Sequence, residues 1–140
     1  MMSDIEVTFP GGKRVDAKVG ELVVRTDQPV GAGGEGSAVA PFALFLASIG
    51  TCAGIYVLGF CQARGLPTDG VSLREHVELD DATKLPKLVR LELVLPDDFP
   101  DKYRAAVVRA AEGCKVKKTI AAQPRIDVVI ATHEGLARAS

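Results

Sequence analysis

Apolar and polar residues alternate from the start of the chain. Ile5, Val7 and Phe9 are separated by Glu6 and Thr8; Gly11-Gly12 makes a turn, and Arg14 to Val19 and Glu21 to Thr26 follow. Successive side chains of a strand point to opposite faces, so this period predicts three short antiparallel strands. A loop rich in Gly and Pro runs from Asp27 to Ala40, and Pro41 suits a helix start, where its missing N–H costs nothing. Beyond Gly65, Val71, Leu73, Val77 and Leu79 alternate with Ser72, Arg74, His76 and Glu78. Val89, Leu91, Leu93 and Leu95 alternate with Arg90, Glu92 and Val94, giving two strands with one wet and one dry face each. Asp97, Asp98 and Asp101 then precede a helical stripe of Tyr103, Val107, Ala110 and Cys114, where acids suit the positive end of the helix dipole. Gly113 interrupts, a short basic helix is expected from Lys115 to Ala122, and Ile126, Val128 and Ile130 mark a last strand. The tail from His133 to Ser140 is expected to be loose. With no internal repeat and no linker, residues 1–140 read as one α+β domain.

One segment breaks the alternation. From Gly36 to Ala63 no residue is charged, and Pro41 to Arg64 as one helix would be about 36 Å long. That length could cross a bilayer. The segment is alone, however, it is diluted by Ser48, Gly50, Thr51, Gly54 and Gly59, and its flanks lead directly into amphipathic strands, so no membrane is expected. A globule of this size has a radius of gyration of about 14 Å, too small to cover such a helix on all sides. A second subunit must help. Gly50-x-x-x-Gly54 adds a small-residue stripe that a second backbone could approach, and the expectation is an intertwined homodimer.

Charge and composition narrow the function. Lys and Arg number 17 against 18 for Asp and Glu, Trp is absent and aromatics are 5%, which leaves neither a phosphate-neutralising surface nor stacking platforms for nucleic acid. The start Met-Met-Ser-Asp-Ile-Glu has no basic and apolar export signal, and three cysteines are too few and odd for a disulfide scaffold. A cytoplasmic, reducing setting is expected. Gly31-Ala32-Gly33-Gly34-Glu35-Gly36 mimics a dinucleotide loop, but an apolar helix stands where the acid of such a site would be. His76 lies on a wet strand face and His133 in the tail, so neither a metal nor a cofactor is expected.

The cysteines carry the candidate chemistry. Cys52 and Cys61 would point to opposite sides of one helix, since nine residues turn it by about 900°, and they cannot pair. Cys61 reads as a small core hydrophobe. Cys114 stands in Gly113-Cys114-Lys115-Val116-Lys117-Lys118-Thr119, beside lysines and at a helix start, both of which favour a thiolate. The plainer reading makes it the last member of the Tyr103 stripe, and the three lysines a solvated face. A reactive thiol with a resolving thiol nearby is what a peroxide-reducing protein needs, and Cys52 with Cys114 is the candidate pair.

At these residues the chain resembles the OsmC/Ohr family, the osmotically inducible and organic hydroperoxide resistance proteins. Pro41-Phe42-Ala43-Leu44-Phe45-Leu46-Ala47-Ser48-Ile49-Gly50-Thr51-Cys52 is similar to the family's Pro-x-Glu-Leu-Leu-Leu-Ala-Ala-Leu-Gly-x-Cys, and Cys114-Lys115-Val116-Lys117-Lys118-Thr119-Ile120 to its Cys-Pro-Val-x-Lys-x-Leu. The resemblance implies a swapped homodimer with two antiparallel sheets wrapped around two long central helices and an active site at the interface. It implies that Cys52 attacks the organic hydroperoxide to give a sulfenic acid and that Cys114 condenses with it. A dithiol, such as a dihydrolipoyl group, then restores both thiols. Two departures stand out. Where the family carries an acid that fixes a peroxide-polarising Arg, this chain has Phe42 and Ala43, which cannot hold a guanidinium; Arg14 and Arg25 are the candidates for that Arg. Lys115 also replaces the motif's Pro. The rival reading is a non-catalytic member binding a small apolar ligand at the interface, with Phe42 and Phe45 lining its pocket.

Overall fold

The computed structural model describes residues 4–132 and 135–138, in the order β1 (Ile5–Gly11), β2 (Arg14–Val19), β3 (Leu22–Thr26), α1 (Pro41–Ala63), β4 (Ser72–Leu79), β5 (Pro86–Val94), α2 (Asp101–Glu112), α3 (Lys115–Ala122), β6 (Val129–Thr132) and β7 (Gly135–Arg138). A single 3-10 turn, Val30–Ala32, sits in the Gly-rich loop. The α+β class is therefore observed. Two compact units divide the backbone: Met1–Thr51 with Leu73–Glu92, and Cys52–Ser72 with Leu93–Ser140. Helix α1 runs through both.

In the first unit β1, β2 and β3 form an antiparallel meander, with Val7 opposite Ala17 and Ala17 opposite Val24. The loop after β3 is organised by one buried carboxylate. Asp27, 1% exposed, accepts from the backbone N–H groups of Gln28 (2.7 Å), Glu35 (3.3 Å) and Ser37 (3.1 Å) and from the Ser37 hydroxyl (2.7 Å). Led by the Ser37 hydroxyl and N–H, these bonds hold its pKa down at about 2 against the opposing effect of burial. Gly34 is required in this clasp, because a Cβ there would stand 2.0 Å from the Gln28 carbonyl oxygen.

The turn between β4 and β5 is tied by Asp80, whose N–H donates to the Leu85 carbonyl at 2.8 Å and whose carboxylate accepts from Ala82 and Thr83. Glu75 falls in the phase of Leu73 and Val77, the apolar face of β4. Its side chain reaches α1 at Gly50, where an added Cβ would stand 2.8 Å from Oε2, and its Oε1 is buried without a hydrogen-bond partner. Burial raises its pKa, opposed by the Gly50 N–H. Gly50, read from sequence as room for a second backbone, makes room here for a carboxylate.

In the second unit the buried side chains are Ala53, Val57 and Cys61 of α1, Phe99, Val107 of α2 and Cys114. Fully burying a side chain such as Val107 contributes about 1.5–3 kcal/mol relative to exposure. Arg104 ties the start of α2 to its approach, bonding Asp101 (3.0 Å) and the carbonyls of Pro96 and Phe99, both at 3.2 Å.

Along α1 the buried positions recur every fourth residue, Ile49, Ala53, Val57 and Cys61, whereas Phe42, Leu44, Phe45, Ile55 and Tyr56 are exposed. Mean hydropathy reaches 1.9 over its most apolar stretch, of which only 22% is buried within the chain. By length and composition alone the helix could cross a membrane.

The C-terminal expectations need correction. Residues 126–128 form no ladder; the strand begins at Val129, and Val129–Thr132 pairs antiparallel with Gly135–Arg138 inside the tail expected to be loose. Backbone pairing there outweighs the weak apolar content that made the tail look unstructured. His133 lies outside the described residues.

Candidate active site

The site is built in the second unit, where α1 meets the junction of α2 and α3. Helix α2 ends at Gly113, whose N–H donates to the Ala110 carbonyl at 3.1 Å. The junction is close-packed: a Cβ on Gly113 would stand 3.3 Å from the Ala110 carbonyl oxygen and 3.9 Å from the Tyr56 ring. Cys114 follows in an extended conformation (φ −52°, ψ 128°) as the N-cap of α3. Its Sγ accepts from the Lys117 N–H at 3.5 Å and its carbonyl from the Lys118 N–H at 3.1 Å, and it is 1% exposed. A cap residue with a side-chain acceptor fills one of the four N–H vacancies every helix start leaves.

Cys52 lies one turn of α1 before Tyr56 and is partly exposed. Its sulfur meets the other free N–H groups of the same helix start. The Val116 N–H contributes most, followed by the Cys114 side chain, the Lys115 N–H and the Lys115 charge; together they lower the Cys52 pKa against the opposing effect of burial. Both sulfurs therefore share one helix N-terminus. The sequence argument placed the thiolate-favouring groups around Cys114; in the structure the Lys115 charge and two backbone N–H groups bear on Cys52. Such a sulfur can act as a nucleophile, with a second thiol in contact to trap what it forms.

An apolar groove of about 480 Å³, lined by Ile55, Tyr56, Gly59, Phe60 and Ala110, opens along the following turns of α1. Near it, the Arg64 guanidinium stacks 3.6 Å above the Phe60 ring, which meets Tyr103 edge-on at 5.8 Å. Phe42 and Phe45 belong to the first unit, where they stack at 6.1 Å and are exposed. They are not among the groove's lining residues.

Arg14, also in the first unit, forms an ion pair with Glu35 of the Gly-rich loop. Arg25 is exposed on β3, opposite Asp16. Sequence reasoning missed Glu35 and Glu75. A single acid among glycines flagged the first, and a charged residue in phase with an apolar strand face flagged the second.

The model of the OsmC-like protein family matches residues 34–129, a span that holds both Cys52 and Cys114 and begins after Arg14 and Arg25. The chain belongs to the OsmC-like family. Solved structures agree in fold. A Psychrobacter arcticus 273-4 protein assigned to osmotic stress induction and detoxification response is 21% identical, with a TM-score of 0.71 over 85% of this chain and 88% of that one. The organic hydroperoxide resistance protein OsmC of Legionella pneumophila is 22% identical, with a TM-score of 0.52 over 86% and 90%. The organic hydroperoxide resistance protein OhrB of Bacillus subtilis is 21% identical, with a TM-score of 0.53 over 86% and 93%. No curated protein sequence matches this OsmC-like chain.

Proposed function

We propose that this OsmC-like protein is a dimeric, thiol-dependent peroxidase that reduces organic hydroperoxides in a reducing cytoplasm. The observation that carries the reading is the Cys52 sulfur held at the α3 start in contact with the Cys114 side chain. The hydroperoxide-resistance proteins that share its fold agree in kind. In the proposed cycle the Cys52 thiolate attacks the terminal peroxide oxygen. The O–O bond breaks, the alkoxide leaves as an alcohol after taking a proton, and Cys52 becomes a sulfenic acid. The Cys114 thiol then attacks that sulfur, forming the disulfide and releasing water. A dithiol returns both thiols by exchange and is itself oxidised to a disulfide. The apolar groove beside the site favours an organic over an inorganic peroxide.

The test is a thiol count. Reduced protein treated with cumene hydroperoxide should lose Cys52 and Cys114 together, and Cys114→Ser should stop at the Cys52 sulfenic acid. Both cysteines remaining as free thiols would sink the peroxidase reading. That result would favour the second reading, supported by the groove and by Phe42 and Ala43 in place of the family's acid. It is a module that binds a small apolar ligand, and it predicts that ligand stabilisation persists in Cys52→Ser.

A further inference from the structure

We infer that the apolar groove on α1 selects its ligand by charge: Arg64 and Lys102, held against the aromatic rings at its Phe60 end, take the carboxylate of a ligand whose apolar chain lies in the groove. The inference rests on the reading of this groove as the place where an organic ligand lies, as substrate or only bound, and goes beyond it by naming what that ligand carries at its polar end.

The lining of the groove, Ile55, Tyr56, Gly59, Phe60 and Ala110, presents mainly carbon. Gly59 keeps it open, since a Cβ there would meet no heavy atom within 4 Å. Such a groove accepts an apolar chain, but orientation has to come from polar groups at its edge. Phe60, the last of the α1 residues along it, is where they enter. The Arg64 guanidinium stacks 3.6 Å from the Phe60 ring centre and donates to the Phe60 carbonyl at 3.2 Å. Tyr103 meets Phe60 edge-on, and its ring centre stands 5.5 Å from the Arg64 guanidinium and 4.9 Å from the Lys102 ammonium. Two cations therefore gather around one aromatic pair, and among the described residues neither has an acidic partner. Asp101, beside Lys102 in sequence, is bonded to Arg104 at 3.0 Å. Among the described residues no other cation without an ion pair is held on a ring. The bond to the Phe60 carbonyl occupies one N–H of Arg64 and leaves the rest of its planar fork, which matches a carboxylate, unengaged. Stacking on a ring holds the guanidinium in place without consuming those donors.

The probes are octanoate, 1-octanol and octyltrimethylammonium, which share one chain length and differ in charge. Binding to the intact reduced protein is followed by isothermal titration calorimetry. Both cations are exposed and screened by solvent, so each should favour the carboxylate roughly threefold, and octanoate should bind about tenfold more tightly than octanol. Octyltrimethylammonium should bind more weakly than either, and the preference for octanoate should shrink as salt is added. Arg64→Gln and Lys102→Gln should each weaken octanoate roughly threefold and leave octanol unchanged, and the double variant should bind the two alike. Gly59→Leu, which fills the groove, should weaken octanoate and octanol together. Equal affinity of the wild type for octanoate and octanol would overturn the inference, and so would a preference that survives the double variant with helical circular dichroism intact. Failure of every probe to bind would overturn it too, the groove then being covered by a second copy of the chain. None of the probes is a peroxide: thiols that survive cumene hydroperoxide count against the peroxidase reading alone, and absence of charge selection counts against this inference alone.

Discussion

Asp27 shows what one side chain does for the segment leading into α1. Its carboxylate is held ionised by four donors, so its pKa is depressed and its contribution to stability is present above the ordinary carboxylate value. That contribution is lost as pH falls from about 4 through about 2, where the folded state must take up a proton. Asp27→Asn keeps the shape but replaces an acceptor with a donor opposite the Ser37 N–H. It should lower the urea midpoint at pH 7, and the gap from wild type should close as pH approaches 2. A gap that is constant with pH would mean the charge of Asp27 plays no part. At this scale the sequence was legible where chemistry announces itself: Cys52 and Cys114 stood out by motif. Glu75 did not, because an alternating pattern with one charged exception still reads as a pattern. Its raised pKa comes from burial, which the Gly50 N–H opposes, and only the fold brings both about.

Among the elements, α3 stands out because its N-cap is a cysteine, the resolving thiol of the proposed cycle. While Cys114 is a thiol, its Sγ accepts from the Lys117 N–H. A disulfide to Cys52 redirects that sulfur and weakens the cap, and losing a side-chain cap costs a helix about 0.5–2 kcal/mol. An eight-residue helix has little reserve against that loss. Oxidation with diamide, which needs no peroxidase activity, should therefore speed amide exchange across Lys115–Ala122 while leaving α2 unchanged. Equal exchange in the two redox states would show that the cap is not shared with the disulfide. The helices were readable from period and caps. The C-terminal strands were not, because alternation at Ile126 and Val128 signals a strand only if a partner lies alongside, and within this chain pairing starts at Val129. Both side chains stand exposed, Ile126 at 84% and Val128 at 73%.

For the whole molecule, the uncovered part of α1 is the dominant feature. A helix this apolar with so little of its surface buried in its own chain has the character of half a core. The expected outcome is a dimer of twice 14.8 kDa by sedimentation equilibrium, and Ile55→Glu on the exposed face should shift it toward monomer. A monomeric wild type at micromolar concentration would remove the argument. The uncovered surface of α1 was visible in the sequence as a length, an uncharged run longer than a globule of this size can cover. The clasp around Asp27 and the shared helix start at Cys52 were not, since each depends on residues far apart in sequence.

Cys61 has a practical use for every experiment on this site. It is fully buried and free, and it lies with Ala53 and Val57 in the buried stripe of α1. Unfolded in denaturant after the reaction, a reduced chain should show three thiols and a chain bearing the Cys52–Cys114 bond one. The molecule thus contains its own internal standard, against which turnover at the other two sulfurs can be counted without knowing the protein concentration.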